Sequence, residues 1–433
     1  MAITTVAGLS QAHKPSCEVH AESWRSNLIK MASGAPKPLL ANAITALRDA
    51  PAWTNVLTFN EFSFETFVSE TPPWDQCSNL DWMPRPWTPL DDVLTCDWLQ
   101  HRGISVTVPV AAQAVEAVAR DHTFHPVADY LESLEHDGQP RLTSWLSTCL
   151  GIERSSYSEA VGRAMLIGAV ARIFQPGCKV DNMPILEGAQ GTLKSTGIKA
   201  LFTPWFSDEI AELGTKDASM QTKGVWGIEI GELDAMSRGE VSKIKAFISR
   251  TTDRFRPPYG SRIIESPRSC VFWGSTNSEG YLKDETGGRR FWPLTTGRVD
   301  VDQICKDRDQ LWAEAVIHFR ANVPWWLTKD DIKIAAESEQ SSRYIGDPWD
   351  NHITDYLDSL LPNAAGDGVT IHQIFQMALD ITDMARWGQA EQNRVARCLR
   401  RLGWKRKQIY VDKKPVWKYV RPRDDDKKPD ETF

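Results

Sequence analysis

The chain has 433 residues, of which 41% are hydrophobic and 25% charged, an ordinary globular composition with enough apolar mass for two or three domains. Its net charge of −7 excludes a uniformly basic nucleic-acid coat, so any surface for nucleic acid must be local. Eight scattered cysteines without a C-x-x-C pair argue against a zinc site. The absence of a basic leader or an 18-residue apolar run points to a cytoplasmic protein without membrane contact.

Residues 1–20 are short, polar and mixed, and are expected to be a flexible terminus. Residues 21–150 form the next region. Leu28, Met31, Leu39, Leu40, Ile44 and Leu47 recur at helical spacing, Asp91 to Gln100 and Val110 to Arg120 also favour helix, and an α-rich N-terminal domain is predicted. Between them Pro72 to Pro89 is dense in Pro and Trp, which resists helix and reads as a packed loop. His125 to Leu146 reads as helix, Asp-Gly turn, helix, and Ala160 to Phe174 as a long apolar helix stopped by Pro176-Gly177.

Residues 151–325 are read as the core domain, in which strands and helices alternate from Met183 to about Leu294, the pattern of a parallel α/β sheet. The apolar run Met183 to Glu187 leads into GAQGTLKST, which comprises Gly188, Ala189, Gln190, Gly191, Thr192, Leu193, Lys194, Ser195 and Thr196. Glycines at 188 and 191 let successive N–H groups curl around an anion, Lys194 can reach the phosphates, and the Ser195 hydroxyl is placed to hold Mg²⁺. A strict phosphate loop has glycine before the lysine, where this chain has Leu193. The other reading of the segment taken alone is a surface turn with Ser195 or Thr196 capping a helix.

Downstream lies VWGIEIGELD, an apolar strand carrying carboxylates. Nucleotide hydrolysis needs an acid at the end of a central strand, to position Mg²⁺ and to orient water. Glu232 is the first candidate for both roles, with Glu229 in support and Asp234 third. The other reading is a half-buried edge strand with solvent-facing glutamates. Asn277, at the tip of the strand SCVFWGSTN, could read a γ-phosphate, although taken alone the segment is better explained as a strand followed by an Asn/Ser turn. In ETGGRRFWPL, Arg289 and Arg290 suit an arginine finger or a surface patch. Between acid and sensor, basic residues interleave with Phe255 and Tyr259 in a phosphate-friendly insert.

Residues 326–347 are polar and read as a linker, mostly helical or connecting. Residues 386–423 then hold thirteen Lys or Arg against two acids. On a helix from about Gln389, Val395 and Leu399 share one face, while Arg394, Arg397 and Arg401 cluster on the other. The helix should end at Gly403, and KRKQIYVDKKPVWKYV follows as two alternating strands, with Lys405, Lys407, Lys413 and Lys414 adding to the patch. Helix, helix, basic hairpin is the order of a winged helix over 348–422, ahead of a charged tail at 423–433. The bland reading is a solvated basic face.

Loop, acid strand, basic insert, polar-tipped strand and arginine pair follow one another within about 105 residues. EGAQGTLKST, IEIGELDAM, TTDRFRPPYG, the STN tip and GGRRFWPL resemble the virulence-associated E family of phages and mobile elements, as do FNEF, FHPVADYLESL and PGCKVDNMPILEG. The resemblance covers most of the chain and includes the leucine before the lysine. It implies a P-loop ATPase core of the AAA+ and superfamily 3 helicase type, with ATP at residues 188–196 and Mg²⁺ at Ser195 and Glu232. It further implies Lys194, Glu232, Glu229 and Asn277 in catalysis, and Arg289 or Arg290 as a finger entering a neighbour's site. The implied assembly is a homo-oligomeric ring, a hexamer, in the bacterial host cytoplasm. Members often carry a primase domain, for which no acidic motif is seen here. The function expected is an ATP-dependent DNA helicase or replication initiator. The alternative is an ATP-switched DNA-binding regulator, or a defence or assembly factor that does not unwind.

Overall fold

The computed structural model describes residues 23–75, 82–210, 215–233, 235–256, 263–278, 281–282, 288–343, 348–360, 368–411 and 414–421. Asp234, Tyr259, Lys413 and the two termini, all named above, lie outside these. The chain divides into two compact units, Met1–Arg343 and Tyr344–Phe433.

The first unit opens on α1 (Leu40–Asp49), β1 (Leu57–Asn60), β2 (Glu65–Val68), β3 (Arg85–Pro86), α2 (Pro89–His101), α3 (Val108–Ala119) and β4 (Thr123–Phe124). The expected helices are present, and beside them four short strands, which the sequence did not announce, form a mixed sheet in the order β3-β2-β1-β4. Strands of two to four residues are too short for a period-2 pattern to emerge from sequence. The Pro/Trp-dense stretch supplies β3 at the sheet edge, where Pro86 forfeits no interior ladder bond. Trp24, Trp53 and Trp98 join Leu47, Leu57 and Leu99 in this region's own core. Trp87 and Trp74 pack against it.

After α4 (Pro126–Ser133), α5 (Trp145–Leu150) and α6 (Ser156–Phe174) comes the central sheet. Its strands are β5 (Met183–Glu187), β6 (Phe206–Ser207), β7 (Gly227–Ile230), β10 (Val271–Thr276) and β11 (Phe291–Thr295). Chain order also gives α7 (Lys194–Phe202), α8 (Lys216–Gln221), α9 (Arg238–Ile248), a separate antiparallel hairpin of β8 (Thr252–Phe255) and β9 (Ile264–Pro267), α10 (Val301–Arg320) and α11 (Asp330–Ser342). The sheet order is β11-β5-β10-β7-β6, with every pairing parallel. Counted along the chain, the five strands therefore run 5-1-4-3-2 across the sheet.

β5, β7 and β10 are buried along their whole length, as expected when helices cover both faces of a parallel sheet. Alternate residues divide between two cores. Leu186, Trp273, Trp292 and Leu294 pack with α5, α6 and α10 on one face. Ile185, Ile228, Phe272 and Phe291 pack with α9 on the other. Trp226 and Trp312, with ring centroids 4.2 Å apart, anchor the first of these. Among the described residues, no helix is long and apolar enough to cross a membrane.

The stretch 326–347, expected to be helical or linking, is helical over Asp330–Ser342 and is not a free connection over its described part. α11 lies within the first unit, where Ile332 and Ala336 enter the core beneath α6 and Gln340 donates to the Phe291 carbonyl at 2.8 Å. The polar residues that gave it a linker-like composition occupy its exposed face.

The second unit contains α12 (Trp349–Ser359), a short α13 (Ile371–Gln373) that runs on into a π turn at Ile374–Ala378, α14 (Gln389–Arg401), and the antiparallel hairpin β12 (Lys405–Val411) and β13 (Lys414–Val420). Val395 and Leu399 are fully buried with Phe375, Ile353 and Trp404, so α14 packs on the face that the sequence assigned to it.

Candidate functional site

The convergence lies at the carboxyl end of the parallel sheet, where open α/β sheets place their ligand crevice. β5 stops at Glu187 and the chain turns through residues 188–193 before α7 starts at Lys194. At Gly188 any side chain would collide with Thr296, whose hydroxyl lies 2.6 Å from where a Cβ would stand. Gly191 and Leu193 both adopt left-handed backbone, at φ +83° and +67°. The position where a strict phosphate loop has glycine therefore keeps glycine-like geometry here, with a leucine side chain 51% exposed. Ala189 and Gln190 lie exposed in the loop, the Thr192 hydroxyl closes it by donating to the Ala189 carbonyl at 2.9 Å, and Thr196 is exposed in the first turn of α7.

Lys194 is 7% exposed. Its ammonium donates to the carbonyls of Gly188 at 2.8 Å and Ala189 at 3.0 Å, and to Asn277 Oδ1 at 3.2 Å. Asn277 is thus brought beside the lysine from the tip of β10. Burial lowers the ammonium's pKa, and the nearby Glu229 charge opposes that shift. The Ser195 hydroxyl donates to Glu229 Oε1 at 2.6 Å, and the Ser275 hydroxyl to the same oxygen at 2.6 Å. Glu229 is 3% exposed, and its other oxygen, Oε2, is buried with no partner. An orphaned carboxylate oxygen beside a serine hydroxyl is a donor set suited to a hard cation such as Mg²⁺.

Glu232 is placed differently. It sits exposed on the turn after β7, with left-handed backbone at φ +53°, and its carbonyl accepts from Ala235 N at 3.0 Å. The strand expected to extend from Val225 to Asp234 is ordered as strand only over Gly227–Ile230, so the two glutamates occupy different structural settings.

Arg289 and Arg290 stand at the far end of the sheet. Phe291 pairs with Met183 and Thr295 with Glu187, so the arginines precede β11 next to the start of β5, about 13 Å of strand away from the loop. Arg290 Nε donates to Ser249 Oγ at 2.7 Å, Arg289 is exposed, and both line a cleft of about 390 Å³ with Lys179, Lys333 and Trp326. The structure does not bring them to this chain's own loop.

In the second unit, the Arg394 guanidinium lies 3.8 Å from the Trp349 ring centroid, whereas Arg397 is exposed. Lys405 and Lys407 are exposed on β12. The side chains of Arg401 and Lys414 are outside the described set.

Sequence reasoning missed the Glu187 cluster. This carboxylate, 1% exposed at the base of the loop, accepts from Tyr281 at 2.7 Å, from Thr295 at 3.0 Å, and from Arg343 through Nε at 2.8 Å and Nη2 at 2.8 Å. Burial and the Glu187 charge push the Tyr281 hydroxyl well above the usual phenol range, so it remains a donor. The partners lie 94 to 156 residues away along the chain, and no local pattern announces them. Ser275 was within sight, two residues before Asn277, but carried no motif of its own.

These features define a parallel α/β fold with a glycine-bearing loop between β5 and α7 at the carboxyl end of its sheet. Residues 131–344 match the model of the virulence-associated protein E-like domain, and this part of the chain is a domain of that family. No curated protein matches the chain. Among solved structures it is similar to an apo structure of the NrS-1 C-terminal region, residues 305–718, at 13% identity and a TM-score of 0.43, covering 84% of this chain and 96% of that one. An A-form apo structure of the same region gives 12% and 0.42 with the same coverage. Likeness of that degree adds nothing to the assignment.

Two outcomes are expected. Leu193→Gly releases a left-handed strain of about 1 kcal/mol and should leave stability equal or raised, whereas Leu193→Val should cost about 1–2 kcal/mol in denaturant unfolding. Equal loss in both would contradict the backbone geometry. Arg343→Met leaves a buried carboxylate uncompensated and should cost about 3–5 kcal/mol, with at least half regained in Glu187→Gln/Arg343→Met. No recovery in the double variant would show that the pair is not the source of the loss.

Proposed function

We propose that the chain is an ATP-hydrolysing, DNA-acting protein of phage or mobile-element replication, working as a helicase or initiator. The observation that carries this reading is the meeting of Ser195, Glu229 and Ser275 on one carboxylate oxygen, beside Lys194 and Asn277, at the mouth of a glycine-bearing loop. Lys194 and Ser195 come from the start of α7, Glu229 from β7, and Ser275 and Asn277 from the end of β10 and the residue that follows it. The 5-1-4-3-2 strand order supports a P-loop core of the AAA+ and superfamily 3 type.

In this reading the loop N–H groups and the first turn of α7 hold phosphate oxygens. Lys194 exchanges its bonds to the Gly188 and Ala189 carbonyls for the terminal phosphates, and Asn277, already against Lys194, follows to the γ-phosphate. Ser195 and Glu229 would hold Mg²⁺, which when bound supplies Lewis-acid charge across the phosphates. The metal role first given to Glu232 thus moves to Glu229, the buried acid. Glu232, exposed on the turn beyond, is left to orient or deprotonate water.

Because Arg289 and Arg290 lie at the opposite end of the sheet from their own loop, they would act in a neighbouring copy's site. A closed ring such as a hexamer satisfies every site in this way. The second unit's helices and hairpin support a winged-helix reading, with α14 offering Arg397 to DNA phosphates.

Steady-state ATP hydrolysis with and without DNA, together with strand displacement, tests the proposal. DNA-stimulated turnover is expected, falling on the order of a hundredfold or more in Lys194→Ala. Unchanged turnover in that variant would refute the site. DNA-stimulated hydrolysis without displacement at either polarity would leave an ATP-switched DNA-binding protein and sink the helicase assignment.

A further inference from the structure

We infer that the aromatic face of the C-terminal hairpin stacks on unpaired bases, so that the second unit engages the junction between duplex and single strand instead of continuous duplex. The inference rests on the DNA-binding reading of this unit and deepens it. In the ladder, Gln408 pairs with Trp417, Tyr410 with Pro415 and Arg406 with Tyr419. Side chains alternate along a strand, so Arg406, Tyr410, Trp417 and Tyr419 share one face.

That face changes character along its length. At the base Tyr419 is 4% exposed, and its backbone exchanges hydrogen bonds with Val369, which fixes the hairpin to its unit. Two residues outward Trp417 is 52% exposed, and nearer the tip Tyr410 is 71% exposed. Trp417 and Tyr410 are diagonal neighbours across the ladder, close enough to present two rings side by side. The Arg406 guanidinium lies 4.4 Å from the Trp417 ring centroid, which steadies the indole and adds charge at its edge.

Charge selects the occupant. Arg406 is exposed on the aromatic face, Lys405 and Lys407 are exposed on the opposite face of the same strand, and neither strand contains an acidic residue. Exposed rings with a guanidinium at their edge, on a hairpin whose strands carry no acid, suit single-stranded nucleic acid, because every base has a face to stack and every nucleotide a phosphate. Paired bases in a duplex offer no such faces except at an end or a fork.

The test uses the full chain and two probes, a blunt duplex and the same duplex with a single-stranded tail bearing 2-aminopurine beside the junction. Wild type should bind the tailed probe on the order of tenfold or more tighter than the blunt one, with 2-aminopurine quenching on binding. Tyr410→Ala/Trp417→Ala should lose both the preference and the quenching while keeping blunt-duplex affinity and its salt slope. Tyr410→Phe/Trp417→Phe should retain them. Equal affinity of wild type for the two probes, or a preference that survives the alanine pair, overturns the inference while leaving DNA binding in place. An alanine pair that changes only the sedimenting mass assigns the face to a second copy of the chain and also overturns it. Wild type that binds neither probe refutes the DNA role of the unit itself.

Discussion

The buried carboxylate of Glu187 is the constraint on which the rest of the site depends. It is the last residue of β5, and everything that follows, from Gly188 to Lys194, takes its direction from that point. Moving a carboxylate out of water costs several kcal/mol unless its oxygens are satisfied. Here Tyr281, Thr295 and the Arg343 fork satisfy them, while Thr296 bonds the Glu187 carbonyl through its amide and hydroxyl at 2.7 and 2.6 Å. One side chain thus fastens β5 to the end of β11, to the segment after β10 and to the residue that follows α11. A loop that must offer its N–H groups to an anion in fixed geometry gains from such an anchor, because any tilt of its root would be repeated at its tip.

From that root the parallel sheet does the remaining placement. β10 lies between β5 and β7, so Ser275 and Asn277 arrive between the loop on one side and Glu229 on the other. Glu229 then stands against Ser195 without a long side chain having to reach. The same parallel register that gathers these groups at one end sends Arg289 and Arg290 to the other. Separation of these arginines from the loop within one chain follows from strand direction alone.

Much of this was legible in the sequence where the physics is local. The loop, α6, the apolar strands of the central sheet and the basic hairpin each announce themselves by spacing or turn chemistry. Other features were not. Glu229 and Glu232 are three residues apart in one acidic, apolar run, and only the early end of β7 at Ile230 separates a buried acid from an exposed one. β3 and β4 are two residues each, below the length at which periodicity exists. The cluster around Glu187 joins residues distant in sequence, which no single-chain pattern can encode. Leu193 is intermediate: its mismatch to the loop pattern was visible, but its left-handed backbone was not.

Glu229, oriented by Ser195 and Ser275 with one oxygen still unpaired, is the acid on which the proposed chemistry turns. The most direct test is equilibrium binding of a fluorescent ATP analogue with and without Mg²⁺ to wild type, Glu229→Gln and Glu232→Gln. The account predicts that Mg²⁺ tightens binding in wild type and in Glu232→Gln, and that Glu229→Gln loses this enhancement. Binding that stays Mg²⁺-enhanced in Glu229→Gln but not in Glu232→Gln, or wild type that binds no nucleotide, would contradict it.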